Sequence, residues 1–518
     1  MNHQFIYNQK TAVVDTKQGK IRGYYWDRLY VFKGIPYAMA KRFHAPQPVE
    51  PWDGVLEADS FGYVCPLPEM PKPRNELRVP HRYWIMDENC QNLNLWTPGL
   101  DDKKRPVLVW LHGGGFEAGS AIEHIAYEGE NMSREGDVVV ITINHRLNVL
   151  GYFDLSEFGE EYANSANAGT DDIVASLKWI HENIEAFGGD PQNVTVFGQS
   201  GGGAKVTALL QTPAADGLFA KGINMSGVIG PILADRAGSG REFALAMMKE
   251  LGVETVKEME TVPYPELAAA YMKLKHEFAD HGKYAAGMPR ANDFYAGMPE
   301  TNGFRKETAH VPLMVGTVYG EFTSFAQSPY RKPQMTAEEG EKIVRDVLGA
   351  DAEEILALFK EAYPRRNPVD LLMIDFIFRL PTQQYVRQRS ALNDCTYSYL
   401  FNLDMPIEGG STPWHCADIP FFFHNTDLVP YANEPLVSKI VEKQIFDSVM
   451  AFARTGNPNT YAVPEWKACT PDEEYVMIFD RLTEVRCNFD EKLVPMAAKV
   501  VGPAMKKEAE KNREKIQH

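Results

Sequence analysis

Runs of apolar, β-favouring residues alternate along this chain with segments whose apolar residues recur at helical spacing. The runs 106–111 and 137–143 are largely apolar, which is typical of strands buried on both faces of a parallel sheet. Between the second run and a third at 194–197, apolar residues recur at helical spacing: Ile173, Leu177, Ile180, Ile184 and Phe187. The order strand, helix, strand predicts a right-handed crossover and hence a parallel sheet.

The helix of this crossover is predicted over residues 170–187. Thr170 can cap its N-terminus, and Asp171 and Asp172 suit the positive end of the helix dipole. Gly188 can end the helix, because glycine readily adopts the left-handed conformation found there. We expect this helix to be core scaffold.

The rest of the pattern predicts a large α/β protein. Residues 1 to about 100 show short alternating segments broken by turns, which favour small antiparallel strands. Further strands are predicted at 222–227, 311–317, 396–401 and 475–479, and helices at 240–280, 337–362 and 436–452. We expect a single domain over residues 1–505, followed by a charged C-terminal tail over 506–518. The proline-rich segment 66–82 favours a surface loop or a lid, and the pattern leaves both open.

Composition excludes several classes of function. The chain has 518 residues and a formal net charge of −17, so phosphate repulsion argues against nucleic-acid binding. No stretch approaches the ~20 apolar residues that span a bilayer, and the N-terminus lacks the apolar core of a signal peptide. The six cysteines are scattered without CxxC or metal-ligand spacing, so we expect reduced thiols in a soluble, cytoplasmic protein.

The candidate nucleophile follows the strand at 194–197. That strand runs directly into Gly-Gln-Ser-Gly-Gly at 198–202, and a helix-forming run comes next. Gly198 and Gly202 stand two residues on either side of Ser200, where a Cβ would clash as the chain reverses. A Gly-x-Ser-x-Gly motif between strand and helix predicts a strained serine with an exposed hydroxyl at a helix N-terminus. The alternative is a glycine-rich turn with an incidental serine, and the flanking elements favour the catalytic interpretation.

Three consecutive glycines follow the strand at 106–111. They stand in His-Gly-Gly-Gly-Phe at 112–116 and expose backbone N–H groups with no side chain in the way. A flexible loop is one interpretation and an anion cradle is the other, which the position upstream of the serine favours. His112, beside the cradle, is expected to form structural hydrogen bonds rather than to act as a catalytic base.

The chain resembles the type-B carboxylesterases, the α/β-hydrolases that include bacterial para-nitrobenzyl esterases and, more distantly, the cholinesterases. The matching motifs span nearly the whole chain: FKGIPYA at 32–38, RF at 42–43, PW at 51–52, DENCQNLNLW at 87–96, HGGGF at 112–116, NHRLNVLG at 144–151, NIEAFGGDP at 183–191 and TGNPN at 455–459. The resemblance implies one large catalytic domain with a mostly parallel central sheet. It also implies hydrolysis of carboxylic esters with neither cofactor nor metal, and we find no HExxH or Walker motif.

The family pattern assigns roles to residues of this chain. It implies Ser200 as nucleophile, Glu321 as triad acid and His415 as triad base, in the Ser, Glu, His order of α/β-hydrolases. It also implies Gly114, Gly115 and Gly201 as oxyanion-hole donors, and Ser226 as the residue that supports the acid. Asp418, three residues after His415, is the rival acid, and we prefer Glu321.

Several positions depart from the family pattern or stay open. Gln199 stands where the family usually has glutamate, which weakens the case for cationic, choline-like substrates. Cys65 and Cys90 fall where secreted relatives form a disulfide, but the absence of an export signal leaves such a bond open. The aromatic residues Trp414, Phe421, Phe422 and Phe423 can line an acyl pocket, although a row of aromatics is more often core.

These features predict a serine carboxylesterase that hydrolyses small to medium carboxylic esters through an acyl-enzyme. An amidase or acyltransferase with the same triad is one alternative. A non-catalytic, cholinesterase-like binding protein is another, although such proteins typically lack a triad member and carry export signals. The expected partner is a small-molecule ester, with no nucleic acid and no membrane span.

Overall fold

The apolar runs of the sequence are strands in the computed structural model, which describes residues 4–69, 77–228, 230, 238–324 and 332–516. The chain forms two compact units. The first unit is made of Met1–Gly227, Pro231–Leu313 and Phe452–Asn457, and the second of Val228–Gly230, Met314–Ala451 and Pro458–His518.

The first unit contains most of the strands. They are β1 Phe5–Ile6, β2 Val13–Asp15, β3 Lys20–Arg22, β4 Tyr24–Trp26, β5 Leu29–Pro36, β6 Ala38–Met39, β7 Gln47–Pro48, β8 Val55–Glu57, β9 Asn92–Thr97, β10 Arg105–Leu111, β11 Val139–Ile143, β12 Gly189–Gln199 and β13 Lys221–Met225. Its helices are α1 Glu130–Gly136, α2 Asn148–Gly151, α3 Ala168–Asn183, α4 Gly201–Leu210, α5 Gly240–Leu251, α6 Val256–Met259, α7 Tyr264–Asp280 and α8 Pro299–Asn302.

The sheet of the first unit has the strand order β1-β4-β5-β9-β11-β10-β12-β13. Its N-terminal strands pair antiparallel, and β11, β10, β12 and β13 are parallel. In the register of β10 and β12, Leu111 is the partner of Gly198. The glycine cradle after β10 and the serine after β12 therefore emerge side by side at the carboxyl edge of the sheet.

The crossover between β11 and β12 contains the predicted helix, with two corrections at its boundaries. The helix begins at Ala168 after Asn167, so Thr170 is not the cap but a buried residue of the first turn. It ends through a 3₁₀ turn, Ile184–Phe187, at Gly188 with φ +76°, as predicted. Strand β12 then begins at Gly189, earlier than the sequence indicated, because Gly189 pairs with Arg105 of β10.

The second unit has its own strands and helices. They are β14 Leu313–Val318, β15 Thr396–Phe401, β16 Tyr475–Phe479, β17 Glu484–Cys487, α9 Ala337–Leu348, α10 Ala352–Ala362, α11 Arg379–Ser390, α12 Ile419–Phe422, α13 Val437–Thr455 and α14 Leu493–Ile516. Strand β15 pairs parallel with β16, which pairs antiparallel with β17. The apolar faces of α9, α10 and α14 bury a core against β15 and β16.

The predicted α/β class is confirmed, with parallel central strands and small antiparallel strands near the N-terminus. Among the N-terminal strands, β3 and β8 differ from this pattern because they pair parallel. The candidate lid at 66–82 lies partly outside the described residues, which omit 70–76. The charged C-terminal segment is helical as far as Ile516, because α14 continues through it. Within the described ranges, no helix is both long enough and apolar enough to cross a bilayer.

Candidate active site

Ser200 lies on a strained turn between β12 and α4. Its backbone has φ 58° and ψ −124°, a conformation that side-chain-bearing residues rarely adopt. The turn is held in place because the Ser200 N–H donates to Met225 O of β13 at 2.7 Å and its carbonyl accepts from Ala204 N at 3.0 Å. The serine is partly exposed, immediately before the first residue of α4.

The glycines of the motif allow this turn to be so tight. A Cβ added to Gly202 would lie 1.9 Å from Leu111 O, and one added to Gly198 would lie 2.5 Å from the carbonyl carbon of Gly202. Real Cβ atoms do not come so close to backbone atoms. Only glycine therefore fits at either position, as the sequence predicted.

The glycine cradle after β10 lies against the start of α4. Gly114 and Gly115 have φ +85° and +65°, which glycine adopts without strain. A Cβ added to Gly201 would lie 2.2 Å from Gly115 O and 2.4 Å from Gly115 N. In the described part of the chain, the N–H groups of Gly114 and Gly115 donate to no protein acceptor. The first amides of a helix also lack intrahelical partners, so Gly201 adds a third donor. Backbone amides grouped beside a serine are suited to an oxyanion.

His112 supports the start of the cradle. Its side chain is fully buried, and Nδ1 donates to the carbonyl of Gly113 at 2.9 Å. Burial and the charge of Lys205 hold the pKa of His112 well below its usual value, so the ring is neutral. The imidazole stacks on that of His145 with ring centroids 5.0 Å apart. These contacts fit the structural role predicted for His112.

Glu321 and His415 meet in the second unit. His415 Nδ1 is hydrogen-bonded to Glu321 Oε2, and the other carboxylate oxygen accepts from the N–H of Val318 at 2.7 Å. The His415 N–H also donates to Glu321 O at 3.1 Å. Both side chains are buried, and Glu321 has a strained backbone with φ +36°. The carboxylate is thus oriented at both oxygens and fixes one nitrogen of the imidazole.

Two aromatic rings flank the imidazole of His415, and the sequence did not predict either contact. The ring centroids of Phe322 and Phe378 lie 4.3 and 5.0 Å from that of His415. Phe378 is held in turn because its N–H donates to Asp375 Oδ2 at 3.0 Å. Phe322 is adjacent to the predicted acid, but no sequence signal distinguishes Phe378, which precedes α11.

Asp418, the rival acid, lies in a different environment. It is fully buried, and Oδ2 accepts from the Tyr399 hydroxyl at 3.0 Å. Among the described residues Asp418 forms no hydrogen bond with His415, and its Oδ1 has no partner. Burial and the nearby charge of Glu321 raise the pKa of Asp418 to about 7 and that of Asp375 to about 8. Of the two candidate acids, Glu321 is the one that contacts the imidazole.

The other predicted positions are found as follows. Ser226 is fully buried, directly after β13, with φ +50°. Cys65 and Cys90 are both buried free thiols. The aromatic row near His415 is core, because its members are at most 1% exposed. Three of them pack at a tilt against neighbouring rings, with centroid distances of 5.1 Å for Trp414–Tyr431, 5.0 Å for Phe401–Phe421 and 5.4 Å for Tyr399–Phe422. No group of three or more His, Cys, Asp or Glu side chains in the described ranges is placed to hold a metal ion.

Comparisons with known proteins identify the family of this chain. The model of the carboxylesterase family matches residues 10–495. The para-nitrobenzyl esterase of Bacillus subtilis is 32% identical over 90% of this chain and 94% of its own length. The solved structure of a Clostridium hathewayi esterase that can hydrolyse aliphatic aromatic polyesters is 51% identical, with a TM-score of 0.94 over 96% of this chain and all of that one. A Geobacillus stearothermophilus carboxylesterase structure is 30% identical, with a TM-score of 0.72 over 94% of this chain and 99% of that one.

Proposed function

The chain belongs to the carboxylesterase family and is a carboxylic ester hydrolase, and we propose that it cleaves small to medium esters with Ser200, His415 and Glu321. The α/β-hydrolase fold and the family inferred from the motifs are confirmed by these matches. The triad, the acyl-enzyme and the substrate range are the proposal.

In the proposed first step, Ser200 Oγ attacks the ester carbonyl carbon and His415 takes the hydroxyl proton. A serine hydroxyl is a weak nucleophile at neutral pH and needs such a base. The imidazolium then returns the proton to the departing alcohol, which leaves an acyl-enzyme. Water, deprotonated by the same ring, attacks the acyl carbon and releases the acid and free Ser200. Glu321 orients the ring and offsets its charge, as its hydrogen bond to Nδ1 allows.

Each half-reaction passes through a tetrahedral oxyanion. We propose that the amides of Gly114, Gly115 and Gly201 donate to it. Each donor of this kind is worth roughly 3 kcal/mol by analogy with a characterised serine protease. Because the donors belong to the backbone, they are already oriented before substrate binds.

One observation carries this proposal. Ser200 has the strained backbone of a nucleophile on a sharp turn, beside two cradle amides that donate to no protein acceptor in the described residues. Strain of this kind persists at functional sites where the surrounding structure imposes it. A purely structural turn would not need a partly exposed serine in such a conformation.

Ser200→Ala is expected to abolish turnover of para-nitrophenyl butyrate, by roughly 10⁵-fold or more, with folding intact. The control is Ser176→Ala, because Ser176 of α3 is buried and its hydroxyl donates to Ile173 O of the same helix at 2.7 Å. This control should retain normal turnover. Substantial residual hydrolysis by a folded Ser200→Ala protein would overturn the assignment.

The same chemistry leaves amide hydrolysis and acyl transfer as competing activities. Turnover of para-nitrophenyl butyrate against the corresponding anilide separates ester from amide hydrolysis, and added alcohols detect transfer. Since the Clostridium hathewayi esterase is described as acting on aliphatic aromatic polyesters, we include such polyesters in the substrate panel. Cytoplasmic localisation stays a prediction from the sequence.

A further inference from the structure

Lys205 is a lysine buried in the first unit, five positions after Ser200 in α4. Its side chain is fully inaccessible to solvent. Among the described residues, no carboxylate lies within salt-bridge distance of its ammonium group. A buried charge without a contacting counter-ion costs several kcal/mol, so proteins rarely keep one without a use.

The ammonium group contacts the start of the glycine cradle. Lys205 Nζ donates to the backbone carbonyl of His112 at 3.0 Å. This carbonyl belongs to the peptide that leads into Gly113, directly before the two candidate oxyanion donors. Nζ also lies 5.9 Å from the ring centroid of Phe116, the residue that follows the cradle. Lys205 thus faces both ends of the cradle.

The groups around Lys205 make its charge sensitive to pH. Burial lowers the pKa of Lys205 to about 7, against opposing effects of Glu123 and Cys65. Burial raises the pKa of Glu123 to about 7, and the charge of Lys205 is among the influences that lower it. On the other side, burial and the Lys205 charge keep the pKa values of His112 and His145 well below normal, so both rings are neutral.

We propose that the protonated Lys205 is a positioning residue for ester hydrolysis, which anchors the cradle through the His112 carbonyl and adds positive potential where the oxyanion develops. This inference rests on the proposed function. Lys205 touches neither substrate nor reacting atoms in this scheme. It acts through the backbone of the cradle and through its charge.

The expected size of the effect follows from distance. Two Cα steps of about 3.8 Å place Gly114 within about 8 Å of His112. A unit charge about 10 Å from the oxyanion, at an effective dielectric constant of about 20, changes the rate roughly tenfold. Because an oxyanion exists only in the transition state and intermediates, kcat should change and KM should not.

The test compares pH profiles of kcat and KM for the unmodified protein, Lys205→Met and Lys205→Gln. The ratio of unmodified to Lys205→Met kcat removes any ionisation that both proteins share, including that of the catalytic base. We expect this ratio to be about 10 below pH 6 and to fall as the pH rises through about 7, because the ammonium loses its proton there. The neutral amine can still donate to the His112 carbonyl, so the ratio that remains at high pH measures the anchoring alone. Lys205→Gln keeps a hydrogen-bond donor without the charge. Its pH profile of kcat therefore separates the effect of the hydrogen bond to the His112 carbonyl from the effect of the positive charge.

Lys221→Met is the matched control. Burial also lowers the pKa of Lys221, but Lys221 lies at the start of β13 and its Nζ donates to Asn193 Oδ1 of β12. Lys221 stands four residues before Met225, roughly 13 Å along the strand from the site, at about 3.3 Å per residue. Its substitution should leave the pH profile of kcat unchanged.

A ratio near 1 at every pH overturns the proposal, and so does a constant ratio, which indicates a structural role only. If neither Lys205 variant folds, the profile of the unmodified protein decides: a decrease in kcat on the alkaline side near pH 7 supports the proposal, and its absence overturns it. An inactive unmodified protein overturns the proposed function together with this inference. An active one without the pH-dependent ratio overturns the Lys205 proposal alone.

Discussion

The surroundings of Ser200, in the first unit, and those of His415, in the second, are built in opposite ways. Around Ser200, nearly everything is backbone: strained dihedral angles, amide donors and glycines whose missing side chains let segments approach within van der Waals contact. Around His415, nearly everything is side chain: a carboxylate on one ring nitrogen and two aromatic rings on its faces. A site built from the backbone needs positions without side chains, whereas a site built from side chains needs particular residues brought together from distant segments.

The two regions also differ in charge. The buried ionisable groups near the cradle are mostly basic: Lys205 and the neutral imidazoles of His112 and His145, with the carboxyl of Glu123, whose pKa burial raises to about 7. Around Glu321, the additional buried groups are carboxyls, Asp375 and Asp418, whose raised pKa values reflect burial and the charge of Glu321. These neighbours favour the neutral acid form, so one carboxylate stands beside His415 without a second full negative charge at neutral pH.

After the loss expected for Ser200→Ala, the next largest effect is expected around His415. Glu321→Gln should lower kcat about 10⁴-fold, because an amide can no longer hold the imidazole in the required tautomer or offset its charge. Asp418→Asn is the matched control and should stay within about tenfold of the unmodified protein, since Asp418 bonds Tyr399 instead. Initial rates with para-nitrophenyl butyrate measure both. If only Asp418→Asn destroys activity, Asp418 is the acid.

A smaller loss of kcat is expected from Gly201→Ala, which changes the backbone around Ser200. The added Cβ would lie 2.2 Å from Gly115 O, so the cradle must move away from Ser200. Losing one oxyanion donor costs about 10²- to 10³-fold in kcat. Gly217→Ala controls for a glycine-to-alanine change without a close contact, because an added Cβ at Gly217 meets nothing within 4 Å. An unchanged kcat in Gly201→Ala would show that the cradle accommodates the added Cβ without losing an oxyanion donor.

The smallest effect concerns stability rather than rate. With a folded pKa of about 7, against about 3.9 for an unperturbed aspartate, Asp418 binds its proton more tightly in the folded state. The free energy of unfolding should therefore fall as pH rises from about 4 to about 7. Asp418→Asn removes this dependence and should be more stable than the unmodified protein at pH 8, on the order of 1–3 kcal/mol. Urea unfolding of both proteins at pH 4.5 and pH 8 measures the free energy of unfolding. The same change between the two pH values in both proteins would contradict the prediction.

Much of the fold could be predicted because local patterns report it. Strands 396–401 and 475–479 were located to the residue, since uninterrupted β-favouring runs end at clear turns. The start of α3 was missed because the sequence offers two capping residues: the helix uses Asn167, a residue type that caps at least as well as threonine and lies three positions before Thr170. Contacts among distant segments carry no comparable local signal.

The sequence by itself determined the serine turn and the glycine cradle, because glycine spacing around a serine constrains the backbone locally. It also determined the family, through ordered motifs that span the chain. Only the tertiary structure decided which carboxylate holds His415, which rings flank it, and that Lys205 lies buried against the cradle. These contacts join residues that are far apart in sequence, so they exist only once the chain has folded.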